Sequence, residues 1–567
     1  MKNIKILDCT LRDGGYINNW LFGENTIKDI IYNLINANID YIEIGFLQNN
    51  IKYNKNQTLF NDINKLKDFV SLNKNSKLSS MIVYGKYPIN SISQKSILDI
   101  IRVTFKKNEI DEAILFLKEI KNKGYEIFAN PTNIDTYSDY ELLSLIDKIN
   151  NLKPFGFSIV DTNGVLHEKD IIRLFFLIDN NLEKDISICF HSHNNLQLSF
   201  SNALALLKLH HNRNLIIDSS VFGMGRGAGN LNTELLTQYL NENYNKNYNI
   251  LPILNIIDKH LNKIFNRTPW GYSVPYYLAA INKCHPNYAS YLINMQSLNI
   301  NSINKIISDI PKNQRAIFNK ELIKELYLNH QKHYIDDSDN LIKIKKLLSN
   351  KKLLLLAPGQ SLIHEKNNIY NFIDKNNPLI ISINFIPKDF ESDIIFITNK
   401  KRFENIDNIN IPYIITSNIK NTIDNSNDKE IILNYNDYVN ESQMFDNAAL
   451  MLLKLLIKLE IKEVNIAGLD GFTNIAANNY VSEDLINNAK LNEFDDRNKV
   501  MSDELQSLSK NIKLNFITKT LYQTRPDQTR PDLIFNATIA YLFILIQKTK
   551  NYNLHCNIKL QCRFFIA

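Results

Sequence analysis

Two stretches far apart in the chain carry side chains that could hold a cation between them. In "HSHNN", His191 and His193 are two positions apart, so on a strand both imidazoles turn to one face. In "TLRDGG", Arg12 adjoins Asp13 and two glycines follow. Two imidazoles plus the Asp13 carboxylate make a set suited to a divalent metal, and an oxygen ligand lets Mg²⁺ or Mn²⁺ compete well with Zn²⁺. A guanidinium beside such a metal attracts anions and stabilises a developing oxyanion. Gly14 and Gly15 would let a ligand approach the backbone closely. Plainer readings stand beside these: a hydrogen-bonded histidine pair, a structural ion pair, a turn.

The elements that would bring these residues together are short strands separated by amphipathic segments. Candidate strands are 4–8, 41–47, 79–84, 100–105, 125–131, 156–162, 187–193 and 215–222, most of them rich in Ile, Val or Phe. Between them, "TIKDIIYNLINANID" (26–40) puts Ile27, Ile30, Ile31, Leu34 and Ile35 on one helical face. In "EIDEAILFLKEIKNKG" (109–124), Gly124 is a plausible residue just past a helix end. Eight strands alternating with helices over about 240 residues suit a (β/α)8 TIM barrel, with an open doubly wound sheet as the competing arrangement. A barrel gathers its functional residues at the C-terminal strand ends. "RDGG" and "GMGRGAGN" (223–230) follow predicted strands and "DTNG" (161–164) and "HSHNN" (191–195) end them, so all four fall at one end.

Together, "DCTLRDGGY", "HSHNN" and "GMGRGAGN" resemble the DRE-TIM metallolyases, over roughly residues 1–300. That family includes HMG-CoA lyase, isopropylmalate and homocitrate synthases, and 4-hydroxy-2-oxovalerate aldolase. The resemblance implies a divalent metal (Mn or Mg, Zn less so) on Asp13, His191 and His193, with Asn230 as a fourth oxygen or just outside. It implies that Arg12 stabilises an enolate and that Glu43 and Thr162 line the site; Asp8 would hold the loop. The implied activity is an aldolase or lyase making or breaking a C–C bond beside the carbonyl of a 2-oxo acid, with an aldehyde or sugar-derived second substrate. A Claisen-type acyl-CoA synthase is the alternative within the family. The cysteine loop of HMG-CoA lyase has no counterpart in "GMGRGAGN". Tyr16, Asn18 and Asn19 stand where the aldolase branch has a histidine base. Tyr16 is therefore a candidate acid or base, or a packing residue. "WGYSVPYYLAAINKCHPNYA" (270–289) resembles the segment after the barrel in aldolase-like members encoded among surface-polysaccharide genes, and from it His285 and Tyr288 could reach the site.

The rest of the chain sets bounds. Its 567 residues are 44% hydrophobic and 22% charged, with a net charge of +6 and no basic run, which argues against a nucleic-acid partner. Five cysteines without a C-x-x-C pair argue for a reducing compartment, and the chain enters a strand with no leader-like segment. The expectation is a cytoplasmic homo-oligomer, with residues 1–295 as the barrel and 296–350 as a helical linker or subdomain. From Lys352, strand-like runs such as "LLLLAPGQSL", "LIISINF" and "EVNIAGLDGF" predict a doubly wound Rossmann-like α/β domain over 351–523. There, Gly359 and Ser361 could offer backbone amides to a phosphate, and Asp470 falls at the same edge. A glycosyltransferase-like domain binding a nucleotide sugar would make the chain a bifunctional polysaccharide-biosynthesis protein. The tail, 524–567, contains the 14-residue apolar stretch "LIFNATIAYLFILI", short of the roughly 20 needed to cross a bilayer. A buried or edge helix is favoured over membrane contact.

Overall fold

The computed structural model describes residues 4–522 apart from 70–75, 96, 296, 407–408, 420–428, 440–446, 474–478 and 483–490. The apolar tail stretch and the "TRPDQTRPD" repeat lie outside the described residues. No described helix is long and apolar enough to cross a membrane.

Eight parallel strands close into a barrel: β1 (Ile4–Asp8), β2 (Tyr41–Leu47), β3 (Lys77–Val83), β4 (Ile100–Phe105), β5 (Glu126–Pro131), β6 (Gly156–Asp161), β7 (Ser187–Ser192) and β8 (Leu215–Ser219). β1 pairs with both β8 and β2, and this closure decides against the open sheet. A two-residue strand, Leu59–Phe60, is added to β2 and was too short to announce itself in the sequence.

The helices form where the apolar spacing says they should. Glu24–Asn36 buries Ile27, Ile30, Ile31 and Leu34 against the strands. Ile110–Asn122 stops where Gly124 takes φ +89°, a backbone angle open to glycine without steric cost.

Inside the barrel, alternate residues of each strand share the interior. One layer is apolar: Tyr41, Ile100, Phe128, Cys189 and Ile216 pack together with Leu7. Two positions further along the same strands stand Glu43, Arg102, Asn130, His191 and Asp218, all buried. The period of two thus lifts each strand from an oily floor to a polar layer at its C-terminal end.

Past the barrel, Val274–Ile281, Pro286–Met295, Ile300–Ser308 and Lys320–Gln331 form a helical unit around Leu278, Tyr288, Leu292, Ile303, Ile307 and Tyr327. The helices before and after position 295 share this one core.

A second, seven-stranded parallel sheet follows: β9 (Leu353–Leu356), β10 (Leu379–Ile383), β11 (Ile394–Ile397), β12 (Tyr413–Thr416), β13 (Glu430–Leu433), β14 (Glu463–Ala467) and β15 (Lys513–Phe516). Their spatial order is β13-β12-β11-β10-β9-β14-β15. Along β9, Leu353 and Leu355 enter one core while Leu354 and Leu356 enter another. Both faces are covered, which explains the uninterrupted leucines of this strand.

Candidate metal centre

β1 ends at Asp8, whose carboxylate accepts from the Thr10 N–H (3.0 Å) and the Thr233 hydroxyl (2.7 Å). Asp8 therefore holds the loop that carries Arg12 and Asp13. Asp13, His191 and His193 are buried, and one donor atom from each lies within 4.8 Å of the others. The two rings stand 5.1 Å apart, as a shared strand face requires. Asn230 joins the group: its Nδ2 donates to Asp13 Oδ2 (2.6 Å), and its Oδ1 lies 2.8 Å from His193 Nδ1.

Charge on the site follows from these contacts. Burial pushes the Asp13 carboxyl up, but the opposing charges, led by the Arg12 guanidinium, outweigh it and hold it well below the usual carboxylate range. Burial drives His193 well below its ordinary value, so the ring is a neutral imidazole, the form that ligates metal. An ionised carboxylate, imidazole nitrogens and an amide oxygen, all sequestered from solvent, fit a divalent cation.

Arg12 is gripped on two sides. Nε donates to Glu43 Oε2 (2.7 Å) and Nη1 to Asp13 Oδ1 (2.6 Å), while the buried Nη2 has no partner among the described residues. Glu43 lies between Arg12 and Arg102, whose Nη1 is 3.4 Å from Oε1. The carboxylate expected to line the site thus orients Arg12. Thr162 uses its hydroxyl to accept the Asn133 N–H (2.7 Å), and its carbonyl accepts from Arg226 (2.9 Å).

Three residues here lay outside the sequence reading. Asp218 accepts from His191 Nδ1 (3.0 Å), Arg102 Nη2 (2.6 Å) and Cys189 Sγ (3.0 Å). Burial raises its pKa, yet Arg102 and His191 bring it below the ordinary range, so the ionised carboxylate makes Nδ1 the donor. Arg102 is the buried cation that balances Glu43 and Asp218. Both had a signal: each is a lone charge in an apolar strand, "IIRVTF" and "LIIDS". Arg226, within the quoted glycine motif, reaches His193 Nε2 (3.4 Å) and His285 Nε2 (3.1 Å).

Some expectations change. Gly14 and Gly15 accommodate protein: a Cβ at Gly14 would meet Thr10 O at 2.3 Å, and one at Gly15 would meet Trp20 Cδ1 at 1.9 Å. Tyr16 packs edge-on to Trp20 (4.9 Å) under Arg226 (5.7 Å), and burial raises its phenol above the ordinary value. That shift opposes a role as base and favours packing. Of the two residues after the barrel, His285 reaches the mouth through Arg226. Tyr288 does not: its hydroxyl lies 2.9 Å from both Gln314 O and Ile317 O inside the helical unit, where its one proton has its acceptor. In the second sheet, the Gly359 N–H goes to Gly468 O (2.8 Å) and the Ser361 N–H to Asp470 Oδ2 (2.7 Å). Both amides expected to cradle phosphate have internal acceptors, Gly468 and Asp470, which come from the turn after β14.

With this geometry in view, likeness to known proteins can be set beside it. Residues 3–258 match the family model described as HMGL-like. Among curated relatives, oxaloacetate decarboxylase of Mycobacterium tuberculosis is 25% identical over 233 residues, covering 41% of this chain and 68% of that protein. The 4-hydroxy-2-oxovalerate aldolase of Geobacillus genomosp. 3 is 24% identical over 239 residues, covering 41% and 69%. The solved N-terminal domain of a proposed aldolase from Bacteroides vulgatus is 28% identical with a TM-score of 0.45, covering 53% of this chain and 99% of that one. HMG-CoA lyase from Brucella melitensis is 14% identical with a TM-score of 0.38, covering 45% and 96%. Residues 3–258 form a domain of the HMGL-like family, and the chain is an enzyme of the carbon–carbon lyase class.

Proposed function

We propose that the barrel is a divalent-metal-dependent aldolase or lyase that breaks, or in reverse forms, the C3–C4 bond of a 2-oxo acid. The observation that carries this reading is the buried trio of Asp13, His191 and His193 with the unpartnered Arg12 Nη2 beside it. Decarboxylating oxaloacetate and splitting 4-hydroxy-2-oxovalerate share one electronic demand. Each leaves an electron pair on C3 that is delocalised onto the carbonyl oxygen, and the site must stabilise that charge.

Asp13, His191 and His193 would hold the cation, with Asn230 positioning the first and third of them. When bound, a Mn²⁺ or Mg²⁺ ion supplies Lewis acidity worth several kcal/mol at the carbonyl oxygen. Arg12 Nη2 donates to the same developing oxyanion from a fixed position, because Glu43 and Asp13 already hold the rest of the guanidinium. Burial of every group named strengthens these interactions relative to water. Tyr16 and Arg226 line the mouth and exclude solvent. An aldehyde, or a sugar-derived aldehyde, is the second product of C3–C4 cleavage and the second substrate in the aldol direction.

The test is turnover on oxaloacetate and on 4-hydroxy-2-oxo acids before and after chelation. Loss on stripping and recovery with Mn²⁺ or Mg²⁺ supports the reading; unchanged turnover in fully stripped protein rejects it.

A further inference from the structure

The second sheet changes direction at β9: β10 to β13 lie on one side of it and β14 and β15 on the other. Chains leaving the C-terminal ends of β9 and β14 must therefore part, and in open parallel sheets the crevice so formed is where ligands bind. A cavity of ≈ 210 Å³ lies at this point, lined by Pro358 and Gly359 after β9 and by Gly468 and Asp470 after β14. Two guanidinium residues, Arg402 and Arg497, also line it. The Arg497 arm is fixed by its Nη2 contact with the Asn294 carbonyl (3.0 Å). Ala448 and Ala449, the first turn of the helix Ala448–Lys458, form a further wall and turn the positive end of its dipole toward the space. The one carboxylate on the wall among the described residues, Asp470, is engaged by Ser361 through N–H (2.7 Å) and Oγ (2.5 Å). Phe472, Tyr480 and Tyr522 add aromatic surface.

We propose that this cavity binds a compact phosphate-bearing organic molecule, no larger than a nucleoside monophosphate, with the phosphate on Arg402 and Arg497. Guanidinium matches phosphate by planar, charge-assisted hydrogen bonds. The volume is below the roughly 300–1,000 Å³ of pockets for drug-sized ligands, which sets the size limit. The loop amides of Gly359 and Ser361 take no part, since they are already bonded. The proposal is independent of the barrel reaction.

The test uses the full chain. Thermal shift and titration calorimetry are run with inorganic phosphate, pyrophosphate, ribose 5-phosphate, the four ribonucleoside 5′-monophosphates, and the four nucleosides. At least one organic phosphate should bind with a Kd tighter than about 1 mM and raise the melting temperature, while its unphosphorylated counterpart does not. Arg402→Gln and Arg497→Gln should each weaken it about tenfold or more. The unliganded melting temperature of each variant is the folding control, and Arg402→Gln, away from the Asn294 contact, serves if Arg497→Gln unfolds. Asp13→Ala should bind as wild type does, so failure here and failure of the barrel chemistry are separable. The proposal is overturned if no organic phosphate binds, if binding is confined to inorganic ions, if nucleosides bind as tightly as their monophosphates, or if affinity survives loss of the arginines.

Discussion

Glu43 holds Arg12 through Oε2 and Nε at 2.7 Å, both side chains buried, and leaves Nη2 as the open donor of the guanidinium. An ion pair in the barrel interior thereby becomes an aiming device. Its reach is set by β2, which fixes Glu43, and by the loop after β1, which carries Arg12 and is tied to Glu43 across the strand gap.

Replacing Arg12 by Lys keeps a positive charge but cannot keep both anchors and the free donor. Turnover should fall about 10²–10³-fold with a smaller change in KM, since the lost contact is made to charge that develops during reaction. Steady-state kinetics on metal-loaded protein give the answer. A variant within a few-fold of wild type would remove Arg12 from the chemistry.

Asp218 touches His191 and belongs to neither motif that carries the metal residues. Asp218→Asn can still accept from Nδ1 but no longer polarises the ring. Its Mn²⁺ affinity should drop about 10–100-fold, measured by calorimetry, with the fold retained by far-ultraviolet circular dichroism. Equal affinity would leave Asp218 as a partner of Arg102 only.

Arg102 has the opposite kind of role. It is buried at 1% exposure between Glu43 and Asp218, and Arg102→Met leaves Asp218 without its guanidinium while Glu43 keeps only Arg12. Loss of one partner from a buried pair costs about 3–5 kcal/mol, so the denaturation midpoint should fall sharply. Adding Asp218→Asn to that variant should restore part of the loss, because the carboxylate left without its guanidinium is gone.

How much of this was legible in the sequence follows from where the signals lie. All eight barrel strands, and β9, β10 and β14 of the second sheet, were readable because buried parallel strands are runs of Ile, Leu, Val and Phe closed by polar or glycine residues. Asp13, His191 and His193 were readable because spacing and strand-end position coincide. Glu43 was expected to line the site, but its partners were not legible: only the closed barrel shows that Arg102, two strands away, shares it with Arg12. Gly14 and Gly15 were expected to let a ligand approach, and Gly359 and Ser361 to offer amides to a phosphate. They are filled by Thr10, Trp20, Gly468 and Asp470, contacts between residues that local pattern cannot pair.

Gly15 offers a check on that correction. Gly15→Ala drives a methyl into the Trp20 indole, whose Nε1 donates to Arg12 O (2.8 Å). Destabilisation of about 1–3 kcal/mol is expected, together with lower turnover from the displaced Arg12 loop. Full stability would mean that the indole has room to move.

The central claim is one cation per chain on Asp13, His191 and His193. Titrating chelator-stripped protein with Mn²⁺, followed by electron paramagnetic resonance of the free ion, counts the sites. Wild type should take up one equivalent tightly, and Asp13→Ala and His191→Ala should each lose that uptake while staying folded. Tight binding that persists in both variants, or no binding in the wild type, would contradict the account.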